Sequence, residues 1–229
     1  YRGNIWCFGD SAGIDFNSGA ISSNSIVRSR GSCTSIADTA GQLLFYAAYD
    51  TTVLLGQSRS TKVYNKLNQI MANGDSMKCG GWYHEHIIIP DPTGNKLYYL
   101  FYIGVTFDFG IYYAQIDMNQ NGGLGSVIQK NIQLQSFKQV DCLSAVKHGN
   151  GRDWWVVFRK SQFPGGSNSD FYSYLITPSG ISNVAVQSVG SLNATGLAKL
   201  SFSPDGTKML FTNYGDLIEV YDFDRCSGI

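Results

Sequence analysis

The chain has 229 residues, 43% hydrophobic and 14% aromatic but only 15% charged, which is ample apolar material for a packed core. Its 17 basic and 17 acidic residues leave a net charge of zero, so nothing marks a footprint for nucleic acid or an anionic membrane. No run of about 18 apolar residues occurs, which argues against a membrane-inserted helix in this region, and the 26 glycines favour short strands and tight turns.

Residues 1–19 predict one short strand, Ile5 to Phe8, and then a Gly/Asp/Asn loop; residues 20–32, polar and Ser-rich, predict an exposed connection. Strands are expected at Cys33 to Ala37, Leu43 to Ala48 and Thr51 to Leu55, with Lys62 to Met71 a strand or an irregular segment. A second group follows at Tyr83 to Pro90, Leu97 to Val105, Gly110 to Met118 and Ser126 to Leu134. A third comprises Leu143 to Lys147, Trp154 to Phe158, Phe171 to Thr177 and Ile181 to Val189. The last holds Leu197 to Ser201, Met209 to Thr212 and Leu217 to Phe223, and ends where a fourth strand is expected. Helical periodicity is essentially absent.

One local pattern recurs four times: a strand end, a turn containing Gly, then an apolar run. Asp38-Thr-Ala-Gly41 precedes Leu43 to Tyr46, Asp91-Pro-Thr-Gly94 precedes Leu97 to Phe101, His148-Gly-Asn-Gly151 precedes Trp154 to Phe158, and Ser203-Pro-Asp-Gly206 precedes Met209 to Phe211. The four glycines are 53, 57 and 55 residues apart, and the first copy is one residue shorter after its glycine. Gly enters the left-handed region that such turns require without steric cost, and an apolar run directly afterwards signals a strand leaving solvent. Four copies of one supersecondary unit, each a four-stranded antiparallel meander, predict an all-β chain with a β-propeller fold. The repeats are placed at about 1–80, 81–139, 140–192 and 193–229, within a single propeller region. An incomplete last repeat favours about four blades of a larger, roughly seven-bladed propeller, because closure protects blade edges from stray pairing. A self-contained four-bladed propeller is the alternative.

Several segments together resemble a known family. Trp6-Cys-Phe-Gly-Asp-Ser-Ala-Gly-Ile-Asp-Phe16, Ser35 to Tyr46, Ile87-Ile-Ile-Pro-Asp-Pro92, Asp117 to Gly125, Lys147 to Trp155 and Tyr221 to Gly228 occur in this order. They are similar to the N-terminal propeller region of large secreted surface proteins of Bacteroidota, of the gliding-motility-associated type carrying PKD modules and a type IX secretion sorting domain. The resemblance implies a propeller, an extracellular or outer-membrane-attached location, and membership in a larger multidomain chain. It implies no reaction. The expectation is a non-enzymatic surface module for adhesion, filament or surface assembly, with other surface proteins or extracellular glycans as partners; the alternative is a lectin-like or enzyme-associated propeller.

Individual motifs carry weaker chemistry. Asp117-Met-Asn119-Gln-Asn121-Gly122 matches the first half of a calcium loop, but the position that would supply a bidentate Glu is Ile128, and a Gly-rich hairpin connection explains the same residues. His84 and His86 lie on one face of a strand and His148 at an equivalent strand end one repeat later; these three form a conceivable transition-metal site, against the commoner role of hydrogen-bonded strand-end histidines. No Gly-x-Ser-x-Gly elbow stands in a strand-to-helix context, no phosphate-cradling loop occurs, and Glu85 and Glu219 are the only glutamates, so no catalytic constellation is identified. Most of Tyr98, Tyr99, Tyr112, Tyr113, Trp154 and Trp155 are expected between blades, whereas Trp82 and Tyr83, beside Gly80-Gly81, are the surface candidates for sugar or partner contact. Phe163 lies in an exposed, Gly/Ser-rich connection suited to the same use, and Asn193-Ala-Thr195 is a glycosylation sequon. Five cysteines lack any Cys-x-x-Cys spacing; Cys7 with Cys33 is the favoured pair should any disulfide exist, the connectivity being unreadable from sequence.

Overall fold

The computed structural model describes residues 2–17, 19–22, 25–29, 31–49, 60–79, 83, 85–105, 109–161, 167–193 and 197–229. Within them the chain is all-β, with five antiparallel sheets and one single-turn 3-10 helix at Asn121–Gly123. It divides into two compact units, Tyr1–Ile88 with Lys96–Ser136 and Ile89–Asn95 with Phe137–Ile229.

The first sheet combines β1 (Ile5–Asp10), β2 (Ala12–Asp15), β3 (Ala20–Ser22) and β4 (Arg28–Ser29), in the order β3-β2-β1-β4. It corrects two expectations. The segment after Phe8 is no loop but a hairpin, turned by Gly9 and Ser11 at φ 59 and 63 and registering Phe8 against Ala12. Its polar composition hid the strand. Residues 25–29 and 31–32 are not simply exposed either: Val27, Ser29 and Ser32 are buried, Val27 beside Cys7 and Tyr46. Serine tolerates that burial because its hydroxyl finds backbone locally, as Ser29 Oγ does by donating to the Ser32 carbonyl at 3.3 Å.

The second sheet is a meander of β5 (Cys33–Ala37), β6 (Leu43–Tyr49) and β7 (Thr61–Asn65); the expected strand at 51–55 lies outside the described residues. The third runs β11-β10-β9-β8, from β8 (His86–Pro90), β9 (Leu97–Gly104), β10 (Gly110–Asp117) and β11 (Ser126–Gln135). The region placed as the first repeat therefore contains two sheets. In the second unit, β12 (Leu143–Lys147), β13 (Trp154–Arg159) and β14 (Asn168–Thr177) form a meander. Both β15 (Gly180–Ile181) and β16 (Ala185–Asn193) pair back onto β14. The final sheet is β17 (Ala198–Phe202), β18 (Lys208–Asn213) and β19 (Ile218–Asp222), again a meander.

Alternation along the second strand of a meander explains why those runs are apolar throughout. On β6, Phe45 and Ala47 join a core with Tyr98, Leu100 and Tyr102 of β9, while Tyr46 and Ala48 join Cys7 of β1 and Val27, just before β4. A period of two sends successive side chains to opposite faces, so a sheet covered on both sides needs no polar positions. In the second unit Trp155 and Val157 of β13 meet Leu200, Met209 and Phe211 of the last sheet. Their neighbour Phe158 stacks on Tyr172 with ring centroids 5.1 Å apart. Each such side chain contributes roughly 1.5–3 kcal/mol by leaving water.

The four recurrent turns are alike in detail. Gly41, Gly94, Gly151 and Gly206 donate their N–H to the carbonyls of Asp38, Asp91, His148 and Ser203 at 3.1, 3.0, 2.9 and 2.8 Å. Their φ values are 85, 74, 72 and 72, a region L-residues with a Cβ enter at a cost. Each turn joins the first strand of a meander to the second, so the repeated sequence pattern is a repeated hydrogen-bonded structure.

Candidate functional site

In the loop from Asp117 to Gly125, one carboxylate oxygen of Asp117 accepts the Asn119 backbone N–H at 2.8 Å and its side-chain amide at 2.9 Å. The other accepts the Gln120 amide at 2.9 Å. The Gln120 amide and the Asn119 N–H hold this carboxyl below its ordinary range. Asn121 spends its side-chain N–H on the Gly125 carbonyl at 2.9 Å, and Asn121, Gly122, Gly123 and Gly125 all have positive φ. Asp117 and Asn121 are thus engaged in folding the β10–β11 connection.

His84 lies outside the described residues. His86 is buried, with its Nε2 2.9 Å from the Thr61 hydroxyl, and burial drives its pKa down to about 4, keeping the ring neutral. His148 takes a different role. Its Nδ1 accepts the Asn150 N–H at 3.0 Å, and its Nε2 lies 3.0 Å from the Cys226 carbonyl, which makes Nε2 the protonated nitrogen. Asp38 and Asp91 use a carboxylate oxygen for the same task, accepting the N–H two residues on at 2.8 Å in each case. His148 is therefore the imidazole version of the aspartate that caps the first two turns. Among the described residues no three His, Cys, Asp or Glu side chains gather into a metal-binding group.

Of the surface aromatics, Trp82 and Phe163 lie outside the described residues, as do Ala194 and Thr195 of the sequon. Tyr83 is described and 58% exposed. Tyr98, Tyr99, Tyr112 and Trp155 are buried, whereas Tyr113 and Trp154 are half-buried.

Two concave features were not foreseen. In the first unit a cleft of about 480 Å³ is lined by Trp6, Cys7, Phe8, Ile14, Cys33, Thr34 and Ser35. Trp6 is 51% exposed, packs edge-on against Phe16 at 5.2 Å and anchors its indole N–H on the Gly3 carbonyl. In the second unit a smaller cleft of about 250 Å³ is bounded by Phe171, Met209, Tyr221 and Phe223, with Gln187 supplying a polar edge.

Beside that smaller cleft is the most unusual polar network of the second unit. The Arg159 side chain is fully buried against the rings of Phe171 and Phe211, at 5.1 and 4.3 Å from their centroids. It donates to Glu219 at 2.8 Å and to the Ser191 carbonyl. Glu219 also accepts the Tyr221 hydroxyl at 2.5 Å and the Ser191 N–H at 2.7 Å. Burial pushes the Glu219 pKa up, but the bonds from Tyr221, Ser191 and Arg159 outweigh it and bring the value to about 2; burial and that same carboxylate raise the Tyr221 phenol. The sequence marks Glu219 only by its rarity, and its partner stands 60 positions earlier.

No family model and no curated protein matches the chain.

Proposed function

We propose that the chain is a β-propeller region of an exported bacterial surface protein and serves as a binding module for adhesion or surface assembly. The observation that carries this reading is the stacking of sheets within each unit, the first and third on the two faces of the second and the fourth on the fifth, with the same turn in four of the five. First strands of consecutive sheets also run side by side, β1 by β5 and β12 by β17, as blades radiating from an axis require. The sequence resemblance supplies the Bacteroidota surface-protein context. Binding is favoured over catalysis because Asp117, His86 and His148 are committed to internal hydrogen bonds, while the concave features are mainly apolar and the larger one carries the exposed Trp6.

The test is protease accessibility on intact cells of the source organism, followed by attachment of a deletion strain. External digestion of the protein with loss of attachment is the expected result; protection until lysis overturns the location, and undiminished attachment overturns the role. The lectin-like alternative rests on exposed Tyr83. It predicts glycan-array binding that disappears on Trp82→Ala with Tyr83→Ala.

A further inference from the structure

Strands β1 and β5 belong to different sheets, yet three contacts fix how they align. The Ala37 N–H donates to the Arg2 carbonyl at 2.8 Å, and Ser35 Oγ donates to the Ile5 carbonyl at 2.6 Å. Further along, the Gly9 N–H bonds to the Cys33 sulfur. Partners descend on β5 as they ascend on β1, so the strands run antiparallel, and Cys33 comes level with the Cys7 to Gly9 stretch. Both side chains enter one apolar cluster with Val27, Tyr46, Ala48 and Tyr64, and both line the 480 Å³ cleft. A disulfide needs Cα atoms about 4.4–6.8 Å apart, and the two thiols are close enough for their charges to interact. Both are thiols in the structure.

We propose that Cys7 and Cys33 form a disulfide site, closed by exchange with a small-molecule disulfide entering the cleft, and that the bond staples the N-terminal sheet to the second sheet. Cys33 is the more open of the two; burial raises its thiol above the ordinary range, and the Gly9 N–H offsets part of that rise. The Cys33 thiolate attacks one sulfur of glutathione disulfide and releases the first glutathione. Deprotonated Cys7 then attacks the Cys33 sulfur of the mixed disulfide and releases the second. The two cysteines lose two electrons and two protons together, and one glutathione disulfide becomes two glutathione thiols. Burial holds Cys7 at about 11, which makes the second step slow at neutral pH and faster in alkali.

The test is incubation of the native protein with glutathione disulfide at mildly alkaline pH, alkylation of remaining thiols under denaturing conditions, and non-reducing tryptic mapping. Cleavage after Arg28 and Arg30 puts the two cysteines on separate peptides. The expected result is a cross-linked pair carrying Cys7 and Cys33, together with a thermal midpoint raised by about 5–10 °C and restored by dithiothreitol. Cys33→Ser removes both effects. A stable glutathione adduct on Cys33 with Cys7 still alkylated, or alkylation of both, overturns the proposal. The propeller reading plays no part here, so either can fail alone.

Discussion

Replacing Glu219 with alanine leaves the Arg159 guanidinium buried against two phenyl rings without its counter-ion. It also removes the acceptor for the Tyr221 hydroxyl and the Ser191 N–H. Removing one partner of a buried ion pair costs about 3–5 kcal/mol, because the other charge stays where water cannot solvate it. The Glu219 side chain is 15% exposed, so water can enter the vacated space, and the lower end, about 3 kcal/mol, applies. In a chain of this size that corresponds to a fall in thermal midpoint of about 6–12 °C. Urea unfolding of the purified protein measures the loss directly. Arg159→Met combined with Glu219→Gln removes both charges while keeping the volume and an acceptor oxygen, and should recover more than half of it. A single-variant loss below about 1 kcal/mol, or a double variant no better than the alanine, refutes the electrostatic account and reduces the network to packing.

Acid should destabilise the protein in two steps. His86 is neutral in the folded chain down to about pH 4 but ordinarily titrates at 6.5, so between those values the unfolded state binds the extra proton and stability falls with pH, by up to about 3 kcal/mol. Glu219 is depressed from 4.5 to about 2 and acts in the same direction in that lower window. Thermal midpoints measured from pH 7 to pH 3 should decline, and His86→Gln should flatten the upper part alone. His148→Ala should cost about 1 kcal/mol through the turn acceptor, while His148→Asp should restore part of it, as Asp38 and Asp91 already fill that role; urea midpoints of the two variants decide. Asp117→Ala should lower stability by a similar amount with or without chelator. A calcium-dependent midpoint in the parent protein would contradict that. At Gly190, with φ 81, an added Cβ would overlap the Tyr221 hydroxyl, so Gly190→Ala should lower the midpoint as Glu219→Ala does.

The four turns were legible because everything that specifies them is local: a glycine able to take positive φ, an acceptor three residues earlier, and an apolar run next. Strand positions such as Cys33–Ala37 and Leu143–Lys147 coincide with the predicted bounds for the same reason. The hairpin at Ser11 and the burial of Val27 were not legible, because polar composition reads as loop until a neighbouring sheet covers it. The histidine motif was legible as chemistry but not as geometry, since an imidazole beside a turn serves the backbone as a carboxylate does. By itself the sequence determined the all-β class, the repeated turn and which strands are apolar on both faces, all consequences of short-range sterics and a period of two. Only the tertiary structure decided that Cys7 and Cys33 share one apolar cluster with Val27 and Tyr46, and that Arg159 finds Glu219 beside two phenyl rings. Such pairings follow from how sheets stack, and stacking is settled by the summed burial of many side chains, which no local pattern encodes.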